Sequence, residues 1–336
     1  MNSNNRQILA VPTNIITGFL GVGKTSAILH LLSHKPVHER WGVLVNEFGE
    51  IGIDGSFIEG QYPKGQNIFI REVPGGCMCC TSGLPMEIAM SQLLAVGRLN
   101  RLLVEPTGLG HPKEVLEVLA APHYNDILSL QKTITLVDAR KLAHPSFTDQ
   151  NIYNQLIEVA DTIVANKVDL YTDGDKARLL AYIKQQGKTE ANVVFTQQGQ
   201  ISVAALEGVT ATATSNSHHH PRKSEMKLLA LNLALPIPEC GFIKATNQGQ
   251  GFVSVGWRFS PDKVFNREKL FVLLTCILVE RMKAVFITDV GVFGYNSTLD
   301  ALEEIELDDC LESRIEIISD SIDDLFDIQL LECLEL

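Results

Sequence analysis

A glycine-rich segment near residue 20 constrains the fold of this 336-residue chain more than any other feature. Gly18, Gly23, Lys24 and Thr25 have the spacing of a phosphate-binding loop, and the apolar residues 14–17 before them predict a strand. In such a loop backbone N–H groups surround phosphate oxygens, the lysine binds the β and γ phosphates, and the hydroxyl binds Mg²⁺. An ordinary glycine turn is the alternative, but a strand, a loop and a helix in this order favour a nucleotide site.

Short apolar runs alternate with helical patterns through the first part of the chain, which predicts an α/β fold with a mostly parallel sheet. The expected strands are residues 14–17, 42–46, 68–72, 102–105, 133–138, 162–166 and 193–196. The expected helices begin at Lys24, near Pro85, at Lys113, near Asn151 and at Asp175. We expect a P-loop NTPase domain over residues 1–206.

The second part of the chain has a different pattern. Residues 207–225 are rich in Thr, Ala, Ser and His, which predicts a linker. Beyond it, strand-like runs at residues 227–235, 251–258, 284–288 and 314–318 alternate with helical patterns at residues 267–280 and 321–334. This order predicts a smaller α+β domain over residues 226–336, with a ferredoxin-like arrangement as one option.

Two further segments support nucleotide chemistry. Residues 102–104 form a buried-looking strand that ends in Glu105, a carboxylate expected to position Mg²⁺ or its water, although a strand that ends in a surface glutamate has the same pattern. Asn166, Lys167 and Asp169 follow another apolar strand, at the sheet edge where ligands bind. An aspartate there can accept two hydrogen bonds, from N1–H and the exocyclic amine of guanine, and adenine cannot supply this pair, so the segment favours GTP over ATP.

The second chemical feature is a cysteine cluster. Cys77, Cys79 and Cys80 precede an expected helix start, which favours thiolates and a soft metal such as Zn²⁺. A ligand could come from Glu47, Glu50 or His111 to complete the site, and thiolates alone do not distinguish Zn²⁺ from Co²⁺ or Ni²⁺. A redox pair or inert buried cysteines are the alternatives. The run from 218 to 220 is all histidine and is either a loose metal site or a solvated linker.

The overall charge and hydropathy exclude some classes of function. A formal net charge of −12 has the wrong sign for a nucleic-acid-binding protein. The sequence contains no apolar run of the roughly 18 residues that a membrane-spanning helix needs, and residues 1–6 lack the apolar core of a signal peptide. We therefore expect a cytoplasmic protein that binds neither nucleic acid nor membrane. The sequence does not indicate an oligomeric state.

These motifs, together with residues 46–50, 105–108 and 137–139, occur in the order found in the CobW-type GTPases, and nearly the whole chain resembles that family. Its relatives include the GTPases that serve nickel insertion into hydrogenase and urease. The resemblance implies that Gly18, Gly21, Val22, Gly23, Lys24, Thr25 and Ser26 bind GTP and that Asn166, Lys167 and Asp169 bind its base. It also implies that Cys77, Cys79 and Cys80 bind the metal, with Glu47 and Asp54 between the metal and Mg²⁺ sites.

The chain departs from the family pattern at two points. Residues 281–284 read Arg-Met-Lys-Ala where the family has Arg-x-Lys-Gly, and residues 196–200 lack the family's Asn-Pro-x-Ala pattern. No arginine finger is evident in the sequence, so intrinsic GTP hydrolysis is expected to be slow.

The resulting hypothesis is a GTP-hydrolysing metallochaperone that binds Zn²⁺ and transfers it to a metal-requiring client protein, with Lys24, Thr25 and Glu105 in catalytic roles. Three alternatives stay open. They are a zinc reservoir or sensor in which the nucleotide has only a structural role, a cobalt-handling protein of cobalamin synthesis, and a P-loop kinase for a small substrate.

Overall fold

The fold is known from a computed structural model. It describes residues 10–46, 67–73, 84–108, 111–143, 151–188, 191–211, 237–238, 240–249, 252–323 and 325–335.

The first domain is built on an eight-stranded sheet in the order β3-β2-β4-β1-β6-β7-β8, with β5 beside the start of β1. All of its strand pairs are parallel. The strands are β1 (Val11–Gly18), β2 (Trp41–Asn46), β3 (Ile68–Val73), β4 (Arg101–Glu105), β5 (Leu128–Leu130), β6 (Ile134–Val137), β7 (Thr162–Ala165) and β8 (Asn192–Phe195). A parallel sheet has both faces covered, which explains why the central strands are apolar on both sides.

Five helices pack against this sheet in the described residues: α1 (Lys24–Ser33), α2 (Leu84–Ala95), α3 (Pro112–Leu119), α4 (Asn151–Val159) and α5 (Asp175–Gln185). Successive side chains of a strand point to opposite faces, so Leu103 joins the core under α1, α4 and α5, whereas Leu102 and Val104 join the core under α2 and α3. This arrangement confirms the predicted α/β fold class.

The second domain contains a six-stranded sheet in the order β13-β12-β11-β14-β10-β9, and every pair in it is antiparallel. Its elements are β9 (Phe242–Gly249), β10 (Phe252–Phe259), α6 (Arg267–Cys276), β11 (Arg281–Thr288), β12 (Gly291–Thr298), β13 (Leu302–Leu307), β14 (Ser313–Ser319) and α7 (Phe326–Leu331). The α+β class is confirmed. The sheet has six strands, more than the four of a ferredoxin-like βαββαβ arrangement.

The two faces of this second sheet have different partners. Trp257, Met282 and Phe286 pack with α6 and α7 in the domain's own core. The opposite face lies against the first domain, where Ile318 joins the core under α1 and the Phe252 ring lies 6.3 Å from the Phe19 ring. The sheet is therefore a layer between its own helices and the nucleotide-binding half.

The sequence pattern missed four strands, for different physical reasons. β5 is only three residues long, and β12 contains two glycines, which weaken strand patterning. β13 is rich in charge, and β9 carries polar residues in its second half. The final helix is shorter than expected, and α6 ends at Cys276 instead of near 280. The expected strand at 227–235 lies outside the described residues.

The domain boundaries stay predictions, because residues 212–236 lie outside the described part of the chain. Residues just before them still contact the first domain, since Lys132 N donates to Gly208 O at 2.8 Å and Ala211 N donates to Asp161 Oδ1 at 2.9 Å. Within the described ranges, every helix is too short or too polar to cross a bilayer.

Candidate nucleotide site

The glycine-rich loop connects β1 directly to α1, as the sequence predicted. Gly23 adopts φ +94° just before the helix, and a Cβ there would lie 2.5 Å from Asn166 Nδ2, so only glycine fits this position. Gly18 and Val22 pack against each other within the loop, since a Cβ at Gly18 would lie 2.8 Å from Val22 Cγ2. The Val22 side chain is fully buried, and its carbonyl accepts a hydrogen bond of 2.9 Å from Asn166 Nδ2. These contacts fix the loop against Asn166, the residue that directly follows β7.

Lys24 and Thr25 stand at the first turn of α1 and are both buried. Lys24 Nζ donates to Phe19 O at 3.1 Å, and Thr25 Oγ1 donates to Glu105 Oε1 at 3.3 Å. Burial is the main cause that lowers the pKa of Lys24 to about 7, against the opposing charge of Glu105. Burial likewise raises the pKa of Glu105. The lysine of this loop is therefore poised to gain a proton when an anion binds next to it.

The oxygens around Thr25 fit a Mg²⁺ ion. Glu105 Oε2 is buried and has no hydrogen-bond partner among the described residues, while Oε1 accepts a hydrogen bond from the Thr25 hydroxyl. Mg²⁺ prefers hard oxygen ligands such as these two groups. Gly108, after β4, packs closely against this site, since a Cβ there would lie 3.0 Å from Lys24 Nζ.

Asn166 connects three segments of the site. Besides its bond to the P-loop, its Oδ1 accepts from Gly199 N at 3.0 Å. Gly199 adopts φ +68°, and a Cβ there would lie 2.5 Å from Ala27 N, so the 196–200 loop packs directly on α1. This loop lacks the family's Asn-Pro-x-Ala pattern, so only its isolated glycine could have indicated the close approach to the P-loop.

A cavity of about 340 Å³ joins these parts. It is lined by Lys24, Thr25, Glu105, Asn166, Lys167 and Asp169, and also by Gly21, Gly23 and Ser26. Most of the predicted nucleotide residues therefore face one space, with the P-loop and the 166–169 segment both at its wall. Their individual roles stay predictions.

The second domain lines the same cavity, which the sequence did not predict. Arg281, Lys283, Thr298 and Asp300 all border it. Lys283 Nζ donates to Thr25 Oγ1 at 2.7 Å, and Asp300 Oδ2 accepts from Lys167 Nζ at 2.7 Å. The Arg-x-Lys pattern at 281–283 was the available signal, but nothing in it indicates contact with the P-loop.

The predicted metal residues lie outside the described residues. These are Cys77, Cys79, Cys80 and Glu47, with Glu50, Asp54 and the histidines at 218–220. Within the described part of the chain, no three His, Cys, Asp or Glu residues are grouped so as to hold a metal ion. His111 Nδ1 lies 3.3 Å from Gln155 Oε1, just before α3.

Comparison with known proteins shows the family of this chain. The nucleotide-binding domain of the CobW/HypB/UreG family matches residues 12–195, more than half of the chain. Zinc chaperone YeiR of Escherichia coli (strain K12) is 38% identical over 312 residues, covering 92% of this chain and 93% of that protein. Zinc chaperone CobW of Pseudomonas aeruginosa is 29% identical over 232 residues, covering 61% of this chain and 62% of its own. The protein that brings a P-loop, Glu105 and the 166–169 segment to one cavity therefore belongs to the CobW/HypB/UreG family.

Proposed function

We propose that this protein is a GTP-hydrolysing zinc metallochaperone, which binds Zn²⁺ through Cys77, Cys79, Cys80 and Glu47 and transfers it to a metal-requiring client protein. The cavity that the P-loop shares with Asn166, Lys167 and Asp169 is the observation that carries the proposal. The family membership and the zinc chaperones among its relatives give further support.

At the phosphate end of the cavity, the chain supplies charge and rigid geometry. Lys24, with its pKa lowered to about 7, becomes fully protonated next to a triphosphate, because an adjacent anion favours the charged form. Asn166 holds the P-loop through Val22 O, so the backbone N–H groups do not have to reorganise when phosphate binds. Mg²⁺, when bound near Thr25 and Glu105, would neutralise charge on the β and γ phosphates.

At the base end, Asp169 is exposed at the cavity wall, two residues beyond Lys167. Its carboxylate is the group proposed to accept hydrogen bonds from guanine N1–H and the amino group. If that is so, Asp169→Asn weakens GTP binding at least about tenfold and strengthens the relative binding of xanthosine triphosphate, because the amide offers a donor where guanine also donates. Competition between the two nucleotides for a fluorescent GDP analogue measures this, and an unchanged ratio would contradict the base assignment.

The topology supports coupling between nucleotide and metal. β2 lies between β3 and β4 in the parallel sheet, with Asn46 paired to Val73 and Val45 paired to Glu105. Glu47 follows β2 by one residue, and Cys77 follows β3 by four. β2 and β3, which precede the two proposed metal segments in sequence, both end at the sheet edge where Glu105 ends β4, and this shared edge supports a coupling between the γ phosphate and the metal.

The test is zinc affinity measured by chelator competition on protein loaded with Mg²⁺ and either GTP or GDP. The expected result is tight binding that differs between the two nucleotides by at least about fivefold, since a coupling of 1–3 kcal/mol is typical. A variant with serine at 77, 79 and 80 is the matched control and should lose the tight site. Equal zinc affinities in both nucleotide states would reject the coupling and favour a zinc reservoir.

A further inference from the structure

One face of the second sheet lies against the P-loop, and the alternation of side chains along β11 decides which residues it carries. Met282 and Ala284 of β11 point into the second domain's own core, so Arg281 and Lys283 point to the opposite face. In the antiparallel register Arg281 pairs with Thr298. Thr298 Cγ2 lies 3.4 Å from the position that a Cβ would take at Gly21, so this face packs directly on the phosphate-binding loop.

Arg281 and Lys283 are buried cations at the wall of the nucleotide cavity. Their exposed fractions are 8% and 4%, and Lys283 Nζ lies 2.7 Å from Thr25 Oγ1, the hydroxyl at the phosphate end of the site. Lys283 pairs across the sheet with Glu316, which is 3% exposed and accepts a hydrogen bond of 2.7 Å from Ser254 Oγ. The second domain therefore fixes the backbone that carries these cations within its own sheet.

Both residues share the cavity with a third buried cation, Lys24. Burial contributes most to lowering the pKa of Lys24, and the charge of Arg281 lowers it further, against the opposing charge of Glu105. Like charges in a buried site repel each other, and nearby anions offset that repulsion, as Glu105 and Glu316 do in part for these cations. A nucleoside triphosphate is such an anion, and the transfer of its γ-phosphoryl group is accelerated by cations that contact the equatorial oxygens.

We propose that Arg281 and Lys283 bind the terminal phosphate of GTP from the side of the second domain, which thereby completes the hydrolytic site within the same chain. This inference rests on the proposed GTPase function. It assigns the role of an arginine finger to residues that no sequence motif marks as one. The guanidinium offers a planar pair of donors suited to phosphate oxygens. Because GDP lacks the terminal phosphate, GTP binds the two domains together more tightly than GDP does.

The first test compares Arg281→Ala and Lys283→Ala with the wild-type full chain, using fluorescent GTP and GDP analogues in the presence of Mg²⁺. We expect each substitution to weaken GTP binding about 10- to 100-fold and GDP binding less than about threefold, since a charged hydrogen bond to the terminal phosphate is lost. The kcat for GTP should fall about 10³-fold, as it does when an arginine finger is removed.

Arg314→Ala is the matched control. Arg314 Nη1 lies 3.7 Å from Glu72 across the domain interface, and Arg314 does not line the cavity. This variant should keep the ratio of GTP to GDP affinity within about twofold. If Arg281→Ala and Lys283→Ala behave like Arg314→Ala while wild-type protein hydrolyses GTP, this inference is wrong and the proposed function stands. If the wild-type protein neither binds nor hydrolyses GTP, both are wrong.

A second measurement needs no substitution and so does not depend on how the variants fold. Amide hydrogen exchange of β11 is followed in wild-type protein with a non-hydrolysable GTP analogue and with GDP. We expect slower exchange at residues 281–285 with the GTP analogue, by at least about threefold, because the terminal phosphate would hold this strand against the P-loop. Equal exchange rates in the two states would overturn the proposal.

Discussion

The two domains contribute to one cavity in opposite ways. The first domain contributes residues from the loops and helix starts that follow parallel strands, such as Lys24 at the start of α1 and Asp169 after β7. The second contributes residues from the face of an antiparallel sheet and its hairpin turn, such as Lys283 within β11 and Asp300 between β12 and β13. In the parallel sheet, each site motif is continuous in sequence. In the antiparallel sheet, the register alone brings separate residues together.

This difference decides how easily a site residue is recognised in the sequence, which depends on whether it lies after a parallel strand or on a sheet face at the domain interface. Parallel strands end at one sheet edge, where loops are free to vary, so a functional loop is recognisable by its own residues. A residue on a sheet face reaches a neighbouring domain only if the register and the docking are both right, because a slip of one residue moves it to the other face.

Lys24→Met tests the part of the cavity that the first domain contributes. The buried ammonium of Lys24 at the cavity should be essential for GTP hydrolysis, and its loss should reduce kcat/KM about 10³-fold, as expected for removing one preorganised donor. Lys141→Met is the control, because Lys141 is also partly buried and donates to Leu20 O at 3.3 Å but does not line the cavity. An equally large fall in kcat/KM for Lys141→Met would mean that hydrolysis depends on positive charge near the loop and not on contact with phosphate.

Asn166→Ala tests how far the first domain relies on one buried side chain. The substitution leaves Val22 O and Gly199 N without their side-chain partner, which should lower the free energy of unfolding by about 2–3 kcal/mol. Asn296→Ala, at the second domain's cavity wall, removes one long bond of 3.3 Å to Glu303 and should cost less than about 0.5 kcal/mol. Urea unfolding measures both, and equal losses would contradict the comparison.

Lys24 also predicts a pH dependence. Its pKa of about 7 in the folded protein lies below the ordinary 10.5, so the unfolded chain binds more protons between those values, and this group's contribution to stability rises with pH there. A bound triphosphate raises this pKa, so GTP binding should take up about half a proton at pH 7 and weaken as pH rises toward about 9. Calorimetry in buffers of different ionisation enthalpy measures the uptake. Proton uptake that persists in Lys24→Met would assign it to another group.

Asp300→Asn should have the smallest effect. Asp300 is half-exposed and pairs with Arg140 at 2.8 Å and Lys167 at 2.7 Å, and these pairs hold the pKa of its carboxyl well below its usual range, mainly through Arg140. Solvent screening limits such pairs, so the expected loss of unfolding free energy is below about 1 kcal/mol and should vanish near 1 M salt. Asp327→Asn removes the Lys244 pair within the second domain and serves as the control. A loss that salt does not reduce would indicate a structural role for Asp300.

The sequence predicted the strands of the first domain well because their apolar runs are bounded by glycines, polar loops and helix starts. It predicted Lys24, Glu105 and Asn166 as parts of one nucleotide site because each lies at or beyond the carboxyl end of a strand of the same parallel sheet. It missed β13 because alternating charge on a half-covered strand resembles a solvated surface. It also missed the role of Gly199, since a close approach between two backbones leaves only an isolated glycine in the sequence.

The alternation of apolar runs with helical patterns predicted the α/β class, and short runs of characteristic spacing indicated the P-loop, the 166–169 segment and the cysteine cluster. That Arg281, Lys283 and Asp300 border the same cavity as Lys24 is visible only in the folded chain. Their position depends on an antiparallel register and on how one sheet face docks against the P-loop. The docking brings together residues far apart in the chain, such as Lys283 and Thr25, which are 258 positions apart, and no local pattern records such a contact.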